Sequence, residues 1–164
     1  MSFRIGQGVD THQLVDGYAL TIGGVSIPFE KGSKGHSDGD VLLHAIVDAL
    51  LGSISLGDIG QHFPSSDDRW KDASSSIFLS HTYSLLSEAK YKIENIDATV
   101  TLQKPNISEY IPQMVTNIAN ILQIEKDSVS IKATTSDYLG YCGRGEGISA
   151  SAIALVLKEK STGA

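Results

Sequence analysis

His36-Ser37-Asp38-Gly39-Asp40, continuing through Val41-Leu42-Leu43-His44-Ala45-Ile46-Val47-Asp48 to Ala49-Leu50-Leu51-Gly52, is the stretch whose reading decides the fold. Ser37 followed three residues later by Asp40 reads as a capping box, which predicts a helix starting here with Gly52 as its stop. Positions 41–43, 45–47 and 49–51 are all apolar, so the helix is hydrophobic almost all round and belongs in a core. Asp40, His44 and Asp48 recur every four residues and share one face. A solvated face would carry long Lys and Glu side chains. Two carboxylates around one imidazole on a buried helix read instead as the wall of a site, with Asp40 or Asp48 orienting the outer nitrogen of His44.

Upstream, residues 3–12 alternate, with Phe3, Ile5, Gln7 and Val9 on one side and Arg4, Gly6, Gly8, Asp10 and His12 on the other. A strand therefore sets Asp10 and His12 on the same face, within reach of a common ion. Gly23-Gly24 between Ala19–Ile22 and Val25–Pro28 is a two-residue hairpin signal, and Glu30 to Gly35 reads as a glycine-bearing loop. Downstream, the polar stretch Gln61 to Ser76 is long for a connection and suits a binding loop or lid. A helix over about Ser75–Lys90, a strand from Ile96 to Leu102, a helix capped by Ser108, and strands over Ser128–Thr135 and Ile148–Leu157 complete the chain. The last strand is apolar or small on both faces, which predicts a cover on each, the second supplied by another copy of the chain. The expected class is α+β: a mixed four-stranded sheet with helices on one face plus a small hairpin.

The 164 residues suit a single domain over 1–160, with 161–164 as a frayed tail. A net charge of −6 argues against a nucleic-acid surface, and the single Cys142 excludes an intrachain disulfide. With no signal-peptide pattern and no membrane-length apolar run, the expectation is a cytoplasmic protein.

Asp10, His12 and His44 are the strongest chemical constellation, a carboxylate and two imidazoles suited to a catalytic zinc with its fourth position open. Residue pattern alone leaves a pair of hydrogen-bonded core histidines equally open. His36 stands before a helix N-terminus, where free N–H groups favour an anion, or is a plain surface histidine. Thr134-Thr135-Ser136-Asp137 offers hydroxyls to phosphate and a carboxylate to Mg²⁺, or is an ordinary turn after a strand. Gly143-Arg144-Gly145-Glu146-Gly147 is a phosphate-approaching loop or a flexible surface one.

Five motifs, taken in order, carry a resemblance: Gly8-Val9-Asp10-Thr11-His12, His36 to His44, Leu56-Gly57-Asp58-Ile59-Gly60, Lys132-Ala133-Thr134-Thr135, and Gly143 to Gly147. Over nearly its whole length the chain resembles the 2-C-methyl-D-erythritol 2,4-cyclodiphosphate synthase family of the non-mevalonate isoprenoid pathway. The resemblance implies a phosphorus–oxygen lyase that converts 4-diphosphocytidyl-2-C-methyl-D-erythritol 2-phosphate into the cyclic diphosphate and CMP. It implies a homotrimer with sites between subunits and a central channel that takes an isoprenoid diphosphate. By position, Asp10, His12 and His44 would hold Zn²⁺, and Asp137 a Mg²⁺ or Mn²⁺ on the substrate diphosphate. His36 and Ser37 would meet the phosphate end, Asp58, Ile59 and Gly60 the methylerythritol. Phe63, Pro64, Ser65, Ser66 and Asp67 match a mobile loop over it. The backbone around Leu102 to Ser108, Gln103, Lys104 and Pro105 included, with Thr134 and Thr135, would form a cytidine pocket contributed by the next subunit; Ser136 and Tyr141 join the substrate contacts, and Arg144 meets phosphate or the isoprenoid diphosphate of the channel. His36 and Thr135 match transition-state stabilisers. Asp137 stands where Glu is usual, Ser65 where Asp is common, and Asn106 where Lys is usual. Two other readings are a zinc hydrolase that activates water and a trimeric isoprenoid-diphosphate binder without turnover.

Overall fold

A computed structural model describes residues 2–159; the expected tail 161–164 lies outside them. The first strand, β1 (Ser2–Asp16), keeps the predicted alternation and runs on past His12. The long helix, α1 (Val41–Ser53), lies across it. Gly6 and Gly8 decide how closely. A Cβ at Gly6 would stand 1.8 Å from the Ala49 carbonyl oxygen, and one at Gly8 would stand 1.9 Å from that of Ala45. The strand presents a groove without side chains, and the helix backbone sits in it. Asp10 and His12 continue the same row toward the helix N-terminus, where His44 is waiting.

The N-terminus of α1 differs from the expected capping box. Asp40, not Ser37, is the cap, its Oδ1 accepting from the Leu43 N–H at 3.0 Å. Its carboxylate also accepts the N–H groups of Gly23 at 2.9 Å and Gly24 at 2.7 Å. These glycines form the turn between β2 (Leu20–Ile22) and β3 (Val25–Ile27), with φ of 60° and 72°, as the hairpin signal required. The hairpin thus fastens to the helix start through one buried carboxylate. The helix passes Gly52 and ends at Ser53, and Ser55 takes the left-handed conformation beyond it.

The described residues form a mixed sheet of five strands rather than four, in the order β4-β1-β7-β5-β6. The added strand is β4 (Lys31–Lys34), which falls inside the expected loop and pairs with the far end of β1. β5 (Tyr91–Thr101) and β6 (Val129–Thr134) pair in parallel, and β7 (Gly147–Lys158) runs antiparallel between β1 and β5. The one-turn helix α2 (Ile59–His62) is capped by Asp58, whose Oδ1 accepts the Gln61 N–H at 3.0 Å. α3 (Ser75–Glu88) is capped by Ser74. Ser108 does not cap the next helix: it opens a 3-10 turn leading into α4 (Ile111–Leu122), whose start has no side-chain cap. A short turn, α5 (Gly140–Gly143), precedes β7.

The core lies between the sheet and its helices, with Ile148, Ala150, Ala152, Ala154 and Val156 of β7 buried there. The sheet's other face is bare in the single chain: Phe3, Ile5, Val9 and Ile153 are 58, 70, 57 and 51% exposed. The second cover expected for β7 is therefore not supplied by its own chain. No helix among the described residues is long and apolar enough to cross a membrane.

Candidate active site

β1 and α1 bring Asp10, His12 and His44 together. Asp10 Oδ2 lies 2.8 Å from His12 Nε2 and 3.0 Å from His44 Nδ1, and the two ring nitrogens are 3.1 Å apart. A tetrahedral ion with bonds of about 2.0–2.1 Å separates its ligands by roughly 3.3 Å, so this triangle has the dimensions of one face of such a site. His12 Nδ1 stands 3.0 Å from the Lys34 carbonyl oxygen. That oxygen only accepts, so Nδ1 carries the proton and Nε2 offers its lone pair to the triangle. The donor set fits a divalent metal ion and is the one such cluster found among the described residues.

Electrostatics reinforce the arrangement. With no ion bound, burial works to raise the Asp10 pKa, but hydrogen bonds and charge from His12 and His44, made when a ring carries a proton on the nitrogen facing Asp10, outweigh it and hold the carboxyl far below the usual range. Burial likewise disfavours the His12 imidazolium, yet the Asp10 carboxylate raises its pKa overall. Neither helix carboxylate touches His44, contrary to expectation. Asp40 is occupied with the hairpin and cap, while Asp48 accepts the Ile59 N–H at 2.7 Å. The outer nitrogen of His44 instead meets the hydroxyls of Ser37 at 3.2 Å and Ser75 at 2.8 Å.

Beside the triangle opens a cavity of about 270 Å³, lined by His12, His36, Ser37 and His44 together with Ile59, Gly60, Phe63, Ser65, Trp70 and Phe78. Its inner wall is aromatic: Phe63 stacks on Phe78 at 4.4 Å, and Trp70 meets Phe63 edge-on at 5.2 Å. Phe63, the first residue of the expected mobile loop, is thus a buried anchor. His36 Nε2 lies 3.3 Å from the Asp67 carbonyl oxygen, which ties that loop to the cavity rim, and Asp67 itself pairs with Arg69.

A second cavity, about 330 Å³, is formed by residues 102–108 with Ala133, Thr134 and Thr135, the nucleotide-pocket positions expected from the sequence. Both cavities lie toward one end of the sheet, since Thr101 is level with Ser149 and Ser149 with Thr11, but β7 separates them within the chain. Asp137, in the left-handed conformation at φ 53°, is not part of the metal-binding cluster. Tyr141 Oη is 3.4 Å from Thr11 Oγ1. The Arg144 guanidinium is engaged by Glu146 through two contacts of 2.9 Å, beside a further cavity that also takes in Lys31, Gln103 and Lys104. Ser75, Asp38, Trp70 and Phe78 had no local signal in the sequence that tied them to the site.

The fold and this donor set define a site able to hold a divalent metal ion beside a cavity of about 270 Å³, and comparison with known proteins gives the class its name. The model of the YgbB family matches residues 3–157, and the chain belongs to that family. A relative from Geobacillus kaustophilus named 2-C-methyl-D-erythritol 2,4-cyclodiphosphate synthase is 54% identical over 95% of this chain and 99% of its own. Among solved structures, the bifunctional IspDF from Campylobacter jejuni superposes with a TM-score of 0.93 at 35% identity, covering 97% of this chain and 43% of that longer one. The IspF CDP complex from Plasmodium falciparum gives 0.85 at 34% identity, covering 97% of this chain and 98% of its own. The family read from the five sequence motifs is the one these matches return.

Proposed function

We propose that this chain converts 4-diphosphocytidyl-2-C-methyl-D-erythritol 2-phosphate into 2-C-methyl-D-erythritol 2,4-cyclodiphosphate with release of CMP. The observation that carries the reading is the Asp10–His12–His44 triangle opening onto the cavity of His36 and Ser37. A 2-phosphate oxygen attacks the β-phosphorus of the same molecule; the bond from β-phosphorus to the bridging oxygen breaks, and CMP leaves with that electron pair. Attacking and leaving groups belong to one substrate, so the protein's task is to fold it and to neutralise charge.

In this reading Asp10, His12 and His44 would hold Zn²⁺, which when bound would supply Lewis-acid charge withdrawal from the phosphate. His36 and Ser37 bind phosphate oxygens, and His36 donates to the charge that develops in the transition state. Asp58, Ile59 and Gly60 meet the methylerythritol, and Phe63 to Asp67 close over it. The pocket of residues 102–108 with Thr134 and Thr135 takes the cytidine half, Ser136 adjoins the substrate, and Thr135 donates to the reacting diphosphate. Tyr141 joins the substrate contacts, Arg144 meets phosphate or an isoprenoid diphosphate at the trimer centre, and Asp137 would hold a Mg²⁺ or Mn²⁺ that would offset charge on the diphosphate. Because β7 stands between the two cavities, each site joins one chain's triangle to a neighbour's nucleotide pocket in a homotrimer built on the bare sheet face. A central channel in that trimer would take an isoprenoid diphosphate, and the reaction belongs in the cytoplasm.

A ³¹P spectrum of the reaction with the cytidyl substrate tests this. The ring diphosphate is expected; free methylerythritol bisphosphate would establish water attack, and no CMP with retained geranyl diphosphate binding would leave only a binder. Asp137→Ala is expected to shift the Mg²⁺ dependence with zinc still bound, and an unchanged curve would remove its role.

A further inference from the structure

His44 is gripped from behind by a chain of hydrogen bonds that the reaction scheme leaves unused. Ser75 is fully buried, and its Oγ lies 2.8 Å from His44 Nε2. The Ser75 hydroxyl donates to Asp38 Oδ1, and the Ser75 N–H donates to Asp38 Oδ2 at 2.9 Å. A carboxylate only accepts, so the hydroxyl proton is committed to Asp38, and Ser75 Oγ serves His44 as an acceptor. Nε2 of His44 therefore carries a proton, and Nδ1, which faces Asp10 and His12, keeps its lone pair. Asp38 in turn is fixed by its own backbone: its N–H donates to the Ala73 carbonyl oxygen at 3.1 Å, and its Oδ1 accepts the Asp40 N–H at 3.1 Å. The chain runs from the helix-start loop through the first residue of α3 to the imidazole, with no exposed member between.

We propose that Asp38 and Ser75 are a positioning pair that sets both the tautomer and the ring orientation of His44, and thereby the strength with which the triangle holds its metal. The proposal rests on the zinc reading of Asp10, His12 and His44. A carboxylate acting through a hydroxyl does here what a carboxylate hydrogen-bonded directly to a metal-bound histidine does elsewhere: it locks the ring and raises its basicity. The arrangement also frees Ser37, the weaker neighbour of His44 at 3.2 Å, to turn its hydroxyl toward the cavity.

The test is the zinc dissociation constant by chelator competition for the full-length protein, Ser75→Ala, Asp38→Ala, the double variant and Ser74→Ala. Loss of an outer partner of this kind weakens metal binding by about 10–100-fold, which is the expectation for Ser75→Ala and Asp38→Ala. Because the two act through one chain, the double variant should bind zinc within about two-fold of the weaker single, whereas independent effects would multiply. Ser74→Ala removes the cap of the same helix and leaves His44 untouched, so its zinc affinity should not move. Turnover of Ser75→Ala should recover with excess zinc, which a purely structural defect would not. Wild-type affinity in Ser75→Ala, multiplied losses in the double variant, or no rescue by zinc would each overturn the proposal. Should these variants fold poorly, ¹H–¹⁵N correlation of the neutral histidine rings in the metal-free protein at alkaline pH decides: the proton is expected on His44 Nε2, and a proton on Nδ1 refutes the pair. His44→Ala that kept stoichiometric zinc would instead refute the zinc reading itself.

Discussion

Gly8→Ala is the smallest change that should break the site without touching any residue in it. The added Cβ would lie 1.9 Å from the Ala45 carbonyl oxygen and 2.7 Å from the Ala49 nitrogen, both α1 backbone. Ordinary contact begins near 3.4 Å, so helix and strand must separate by about 1.5 Å along that line. No rotamer relieves this, because neither colliding partner is a side chain. Overpacking of a rigid core typically costs about 1–3 kcal/mol, and a backbone collision in its most buried seam should reach at least the top of that range. The same separation pulls His44 on α1 away from Asp10 and His12 on β1, stretching a triangle whose edges are 2.8 to 3.1 Å. Urea unfolding should therefore show about 3 kcal/mol or more lost, and zinc binding to the folded fraction should weaken at least about tenfold, since such sites tolerate only about 0.2 Å in ligand distance. Gly52→Ala is the internal control, because a Cβ there meets only the Gln7 carbonyl oxygen at 3.9 Å. Unchanged stability and zinc affinity in Gly8→Ala would refute the idea that the glycine groove sets the metal geometry.

Asp40→Ala leaves the buried N–H groups of Gly23 and Leu43 without their acceptor, while the Gly24 N–H can turn to water; at about 1–3 kcal/mol for each buried orphan, at least about 2 kcal/mol should be lost in denaturant unfolding. Because Asp10 raises the His12 pKa against the opposing effect of burial, the metal-free protein gains stability from the protonated ring below pH about 6.5 and loses it as pH rises through the folded-state pKa. Zinc must displace that proton, so affinity should fall as pH drops below neutral, and calorimetry near pH 7 in buffers of different ionisation enthalpy should register proton release; no release would count against it. Ile5→Lys places a charge on the 70% exposed centre of the bare sheet face, and sedimentation should show dissociation to single chains with zinc affinity retained; an unaltered assembly would show that this face is not the interface.

The helix from Val41 was legible because nine apolar positions in three groups leave it no choice but burial. Its cap was not. Ser37 and Asp40 both offer a suitable oxygen, and what selects Asp40 is the pair of N–H groups from a hairpin some sixteen residues away in sequence. β4 was missed for a related reason: Lys31-Gly32-Ser33-Lys34 has no strand-favouring side chain, and it is a strand because β1 runs past His12 and presents an edge. Asp10 and His12 could be paired from alternation alone, but that His44 joins them follows from Gly6 and Gly8, whose meaning appears only when the helix lies on them. Ser75 reads in sequence as one serine among three at a helix start, and nothing local distinguishes it from Ser74 or Ser76.

The segment from Phe63 to Ala73 is sewn down along both margins. Phe63 is wedged under Phe78, the Asp72 N–H donates to the His36 carbonyl oxygen at 2.9 Å, and the Ala73 carbonyl accepts from Asp38. A flap held on two sides cannot swing; it can only bow at its crest, where Ser65 and Ser66 are exposed. Any change in the rim of the cavity is thereby concentrated at that crest, where Ser65 alone of the two serines lines the cavity.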